Sequence, residues 1–141
     1  MREVKFRAWN KTKKVMVCNS PFISWCVGDG TATISEYVPH NGGYALNSVR
    51  QLSHYEFDNF IFMQFTGLKD ENGKEIYEGD ILGYCDNYPG LVFWDSTCHR
   101  WSLLERYPKG EYNREHELDY LTEPMKILGN IHENPDLLEG E

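Results

Sequence analysis

The stretch FIFMQFTGLKDENGKEIYEGDILGYC, residues 60–85, decides the fold class. Phe60 to Thr66 is apolar at both alternate sets of positions, the pattern of a central strand covered on both faces. Asn72-Gly73 is a dipeptide suited to the positive backbone angles of a tight hairpin turn. Glu75-Ile76-Tyr77 resumes extended structure. Glu78-Gly79-Asp80 interrupts it, since a glycine inside a strand pattern marks a bulge or a turn. Ile81 to Cys85 is the next strand.

The same grammar runs outward in both directions. Toward the start, Val4, Phe6 and Ala8 alternate with Lys5, Arg7 and Trp9, which reads as a half-buried strand. Asn10 to Lys13 is a polar turn, and Val15 to Cys18 the returning strand. Toward the end, Leu91 to Trp94 and Arg100 to Leu104 are strands joined by a turn at Asp95 to His99. Met125 to Ile131 is a last strand, and Asn134-Pro135-Asp136-Leu137-Leu138 a capped helical turn. Residues 19–58 and 105–124 are less regular. They carry the loop signals Asn19-Ser20-Pro21, Gly28-Asp29-Gly30 and Asn41-Gly42-Gly43, with short strand pieces at Phe22 to Trp25 and Thr31 to Ile34. Ser48 to Asp58 fits either a short helix or an extended crossing, and Leu118, Tyr120 and Leu121 anchor the acidic stretch after Glu111.

Short strands between turn signals, with little helical periodicity, predict a mainly β fold. The expectation is a small antiparallel barrel or sandwich with a few short helices, with α+β as the alternative. A chain of 141 residues fits a single domain over 1–141, with loop-rich inserts at 19–58 and 105–124. Aromatic residues, 14% of the chain, suit the half-buried surface of a sheet.

The formal net charge is −8, unevenly spread. Residues 1–14 carry six basic side chains against Glu3, a net +5, while residues 111–141 carry nine acids against Arg114 and Lys126, a net −7. An acidic whole is repelled by phosphate backbones and by anionic lipid. The longest purely apolar run, Phe60 to Met63, is far short of a membrane span, and Met1 to Lys14 lacks the apolar core of a secretory signal. A cytoplasmic chain with reduced thiols at Cys18, Cys26, Cys85 and Cys98 is therefore expected.

Three quoted stretches carry a resemblance. Arg2-Glu3-Val4-Lys5-Phe6-Arg7-Ala8-Trp9 is one. Met63 to Asp70 followed by Ile76 to Ile81 is the second, and Ile127-Leu128-Gly129-Asn130-Ile131-His132-Glu133-Asn134-Pro135 the third. In that order they resemble the YopX family of phage and prophage proteins. The resemblance implies a β-rich fold and a bacterial host. It implies no reaction and carries over no functional residue.

The residues themselves offer weak candidates for chemistry. The spacing of the four cysteines is not that of a zinc knuckle, so no metal or other cofactor is expected, and buried or partly buried thiols are the simpler reading. Cys98-His99 are neighbours, which in a strand would point to opposite faces. Glu78 and Asp80 flank Gly79 at a turn, where short acids bond the backbone and stay wet. Trp9, Trp25, Trp94 and Trp101 are either core or a stacking platform for single-stranded nucleic acid. His132 and Glu133 read as surface residues at a strand end. No catalytic residue is expected. The expected function is a non-catalytic interaction module for a host or phage protein, acting through the two inserts. Arg7, Trp9, Trp25, Tyr37, Asp80, Arg100 and Trp101 are the candidate interaction residues. Homo-oligomerisation through the oppositely charged ends is a further expectation. A nucleic-acid-binding β-barrel is the alternative, disfavoured by charge.

Overall fold

The computed structural model describes residues 4–18, 23–27, 31–84, 89–105, 114–121 and 124–139. They form antiparallel sheets with short helical pieces, the expected mainly β class. The chain divides into two compact units, Met1–Gln64 and Phe65–Glu141.

In the first unit, β1 (Phe6–Asn10) and β2 (Val15–Val17) form the expected hairpin, with Asn10 opposite Val15 and Ala8 opposite Val17. The other side of β1 pairs with the start of β6 (Phe60–Lys69), Ala8 facing Phe62. β1 is therefore an inner strand. Arg7, Ala8, Trp9 and Asn10 are all buried, so the half-buried alternation expected of it is replaced by burial on both faces. The Asn10 side chain holds the hairpin turn, its Oδ1 accepting from the amides of Thr12 (3.1 Å) and Lys13 (3.0 Å) and from Asn59 Nδ2 (3.0 Å).

A three-stranded sheet follows in the order β3-β4-β5: β3 (Ile23–Val27), β4 (Ala32–His40) and β5 (Gly43–Gln51). The Asn41-Gly42 turn has φ of 46° and 80°, the double positive signature of a two-residue hairpin. Asn47 has no partner residue on β4, which makes a bulge in β5. The segment read as a loop-rich insert is thus largely strand over its described part. Its polar residues hid the strands, because much of this hairpin faces solvent and carries no apolar alternation. Helix α1 (His54–Asp58) then turns the chain into β6. Ser53 Oγ accepts from the Glu56 amide (3.2 Å) and Glu56 Oε2 accepts from the Ser53 amide (2.8 Å), a complete capping box. Both readings of Ser48 to Asp58 are realised, strand to Gln51 and helix from His54. Ala8, Ala32, Ile34 and Leu52 form the buried core of this unit.

In the second unit, the end of β6 pairs with β7 (Glu75–Tyr77), Phe65 facing Tyr77 and Lys69 facing Glu75. A five-stranded sheet has the order β11-β10-β9-β8-β12. Its strands are β8 (Asp80–Tyr84), β9 (Gly90–Asp95), β10 (Arg100–Glu105), β11 (Arg114–Glu117) and β12 (Met125–Asn130). Short 3-10 turns occupy Leu118–Tyr120 and Pro135–Leu138. Ile76, Leu82, Val92, Trp101, Leu103 and Leu118 make the buried core. Asn134 does precede the last turn, but its side chain does not cap it. Asn134 Oδ1 accepts instead from the Asn130 amide (3.3 Å), and a Cβ at Gly129 would lie 2.7 Å from Asn134 Cγ. The close packing of that side chain on a bare backbone explains both residues.

Candidate functional site

Three polar residues of the quoted stretches, Asp70, Asp80 and Asn130, are occupied by the frame. Asp70 Oδ1 accepts from the amides of Asn72 (2.9 Å) and Lys74 (2.9 Å), and its Oδ2 from the amide of Ile127 (3.2 Å). Burial opposes its charge, but the amides of Lys74, Ile127 and Asn72, with the Lys74 charge nearby, outweigh it and hold the carboxyl below the usual range. Asp80 is 1% exposed, with Oδ2 accepting from the Tyr77 amide (2.8 Å). The expectation of a wet acid there is corrected: Gly79 and Asp80 turn inward, because the Gly79 amide donates to Val92 O (2.9 Å) and its carbonyl accepts from the Ile131 amide (2.8 Å). Burial alone pushes the Glu78 carboxyl up. Asn130 Oδ1 accepts from the amides of His132 (3.0 Å) and Glu133 (2.9 Å), so that motif also closes a turn.

Of the candidate interaction residues, Arg7, Trp9, Asp80 and Trp101 are buried. Tyr37 is half-buried on β4. The Trp25 side chain lies outside the described residues, as does all of Cys85. Arg100 is held by Glu117 (Nη1 to Oε2, 2.8 Å) and approaches Glu115 (4.0 Å). Trp94 meets Trp101 edge-on, with centroids 5.1 Å apart and planes at 72°, while Trp9 belongs to the first unit. Trp94 and Trp101 are therefore not stacked as parallel rings.

Cys18, Cys26 and Cys98 are exposed, against the expectation of buried thiols. Among the described residues no group of three or more His, Cys, Asp or Glu side chains is placed to hold a metal ion. Cys98 and His99 sit in a turn rather than a strand, His99 with φ of 54°. The Cys98 thiol bonds the Asp95 carboxylate, and that bond and charge push its pKa up, which makes it a poor nucleophile.

One pair escaped the sequence reading. Glu105 is fully buried, and His116 Nε2 lies 3.0 Å from its Oε1. The register places Glu105 opposite Arg114 and His116 opposite Leu103, so the pair is a diagonal across β10 and β11 on one face. Ser102 is on the other face of β10, and Cys98 is in the turn that precedes the strand. A carboxylate can orient an imidazole for proton transfer, but neither nucleophilic side chain is aimed at this one.

The β4–β5 hairpin carries the contrasting feature. Tyr37 faces Leu46, Ser35 faces Val49 and Pro39 faces Tyr44. These residues share one face of the hairpin, because the Asn47 bulge absorbs the extra residue. Leu46 and Val49 are each 56% exposed. At the tip, a concavity of about 400 Å³ is lined by Pro39 to Tyr44.

Comparison with known proteins fits the motifs just described. The model of the YopX protein family matches residues 5–139. The chain belongs to the YopX family. Among solved structures, this YopX chain is similar to protein EF1440 from Enterococcus faecalis at 30% sequence identity. That match covers 99% of this chain and 100% of the other, with a TM-score of 0.56. No curated protein matches it. Among the described residues no helix is long and apolar enough to cross a membrane.

Proposed function

We propose that this YopX chain is a non-catalytic interaction module in the cytoplasm of a bacterium, binding a protein of the host or of a phage. The reading is carried by the exposed apolar face of β4–β5, with Leu46 and Val49 beside Tyr37. Apolar side chains exposed together on one face of a hairpin are suited to a protein interface. The polar motif residues support the same reading from the other side, since Asp70, Asp80 and Asn130 are spent on backbone amides. The docking surface lies within the earlier of the two inserts expected to bind. The described part of the later one, with β11 reading Arg-Glu-His-Glu, presents charge instead.

The test is affinity capture of tagged chain from bacterial lysate, with and without nuclease, in parallel with Tyr37→Arg. A stoichiometric protein that survives nuclease and is lost with Tyr37→Arg is the expected result. Capture unaffected by the substitution overturns the placement on this face. Recovery of nuclease-sensitive material alone favours the nucleic-acid reading.

A further inference from the structure

We propose that β5 is a docking edge for β5 of a second copy of this chain, in an antiparallel pair that sets Leu46 of each copy opposite Val49 of the other. Sheet edges expose unpaired backbone groups, and proteins that stay monomeric blunt them with short length, charge or bulges. Four of the other five edges among the described residues are short or charged. β2 is three residues long and preceded by Lys13 and Lys14, and β7 is also three. β11 is four residues, three of them charged, and β12 carries Lys126 and an irregular register. β3, the opposite edge of the same sheet, is five residues. β5 is nine residues with one charge, Arg50, and that charge is engaged by Glu56 at 3.0 Å. No described strand lies beyond it in the sheet.

The register follows from the hairpin. The two-residue turn makes His40 and Gly43 a hydrogen-bonded pair, so alternation makes Tyr37–Leu46 a non-hydrogen-bonded one. Leu46 accordingly aims its amide and carbonyl away from β4. Beyond the bulge, Val49 opposite Ser35 does the same. Both side chains lie on the same face. A two-fold pair centred between them joins each Leu46 to a Val49, sets Ala45 opposite Arg50, and puts no charge against a like charge. The one bulge in β5 sits at the centre of this pair, so the outward amides on either side of it still meet.

A second copy is the occupant that the charges fit. An edge with a single, compensated charge selects an uncharged mate, and β5 is such a strand. The unit that contains it holds seven basic and five acidic side chains, while the second unit holds seven basic and seventeen acidic. Meeting through the first unit brings near-neutral surface to near-neutral surface, and a two-fold contact closes on itself rather than growing into a fibre. The inference rests on the reading of the chain as a binding module, and self-pairing leaves the apolar face of the hairpin outward and doubled.

Light scattering on the full chain after size exclusion tests it. The expected mass is that of two chains. Leu46→Lys combined with Val49→Lys, which sets cations opposite each other, should give the mass of one chain with an unchanged circular dichroism spectrum. Val38→Lys, on the other face of β4 and already 42% exposed, should leave two. A single-chain mass for the unmodified protein at all concentrations overturns the proposal, as does a dimer indifferent to the lysine pair. A Leu46→Cys/Val49→Cys chain should oxidise to a covalent dimer whose linked peptides join positions 46 and 49. Linkage elsewhere overturns the register. Tyr37→Arg, off the edge, should keep the two-chain mass while losing the captured protein, so failure of either reading is visible without the other.

Discussion

Asp70 and Ile127 lie 57 positions apart in sequence and are joined by a hydrogen bond from the Ile127 amide to Asp70 Oδ2. The adjacent Glu71 amide donates to Met125 O at 2.8 Å, so the Asn72-Gly73 turn is tied to the start of β12. One carboxylate thereby fixes a local turn and a distant strand at once.

Replacing that carboxylate should be costly. Asp70→Ala leaves three amides without their acceptor and should destabilise the chain by about 2–3 kcal/mol. Asp70→Asn, which keeps one acceptor oxygen, should cost less. Urea unfolding of the three proteins measures both. A loss under about 0.5 kcal/mol for the alanine variant, the level of an ordinary surface change, would remove Asp70 from the frame.

The same residue sets a pH dependence. Its carboxyl is held below the ordinary value in the folded chain, so its contribution is complete above the ordinary aspartate value of about 3.9 and is lost as pH falls through the lower folded one. The stability gap between the unmodified chain and Asp70→Asn should therefore shrink as acid is added. Glu78, raised by burial, acts with the opposite sign: its contribution is present at low pH and lost as pH rises through its folded value. A gap that is flat across the acid range would contradict the Asp70 assignment.

Glu105 and His116 should be coupled. His116→Ala takes the imidazole from a fully buried carboxyl, and Glu105→Leu takes the carboxyl from the imidazole. Each alone should destabilise by more than 1 kcal/mol, roughly, and the double variant by less than the sum, with a coupling of about 0.5–3 kcal/mol. Additive losses in chemical denaturation would mean that the two groups are only neighbours.

Cys98 should react slowly and for a stated reason. The Asp95 bond and charge push the pKa of the Cys98 thiol up and lower its thiolate fraction, so Asp95→Asn should speed alkylation of Cys98 by iodoacetamide several-fold near neutral pH. Cys26, also exposed, serves as the reference in the same peptide map. An unchanged ratio of the two rates would show that Asp95 does not control the thiol.

Much of the second unit was legible because its strands have covered faces and its turns have strong chemistry. Asn72-Gly73, Glu78-Gly79-Asp80 and the Asp95 to His99 turn all fall where the sequence places them, and Gly73 and Gly79 take φ of 79° and 85°. β4 and β5 were not legible as a hairpin, because Ser35, Glu36, Asn47 and Ser48 interrupt any apolar alternation. A stronger signal was present in Ser53-x-x-Glu56, whose spacing announces the capped start of α1. The Glu105–His116 pair could not be found by spacing at all. It depends on which residue of β11 lies diagonal to Glu105, and the register across β10 and β11 is a tertiary fact. Asp80 reads as wet from sequence because turns usually lie at the surface, and no neighbouring residue signals that this one faces inward.

The inward use of Asp70, Asp80 and Asn130 changes what descent within this family can tell. The stretches that carry this chain's resemblance to the family include residues that close turns and tie strands, so two chains can share such stretches and have inherited only a shape. Their partners would then be free to diverge, as tools do that share a handle. A function established for one relative would pass to another only after their β4–β5 hairpins had been compared side chain by side chain.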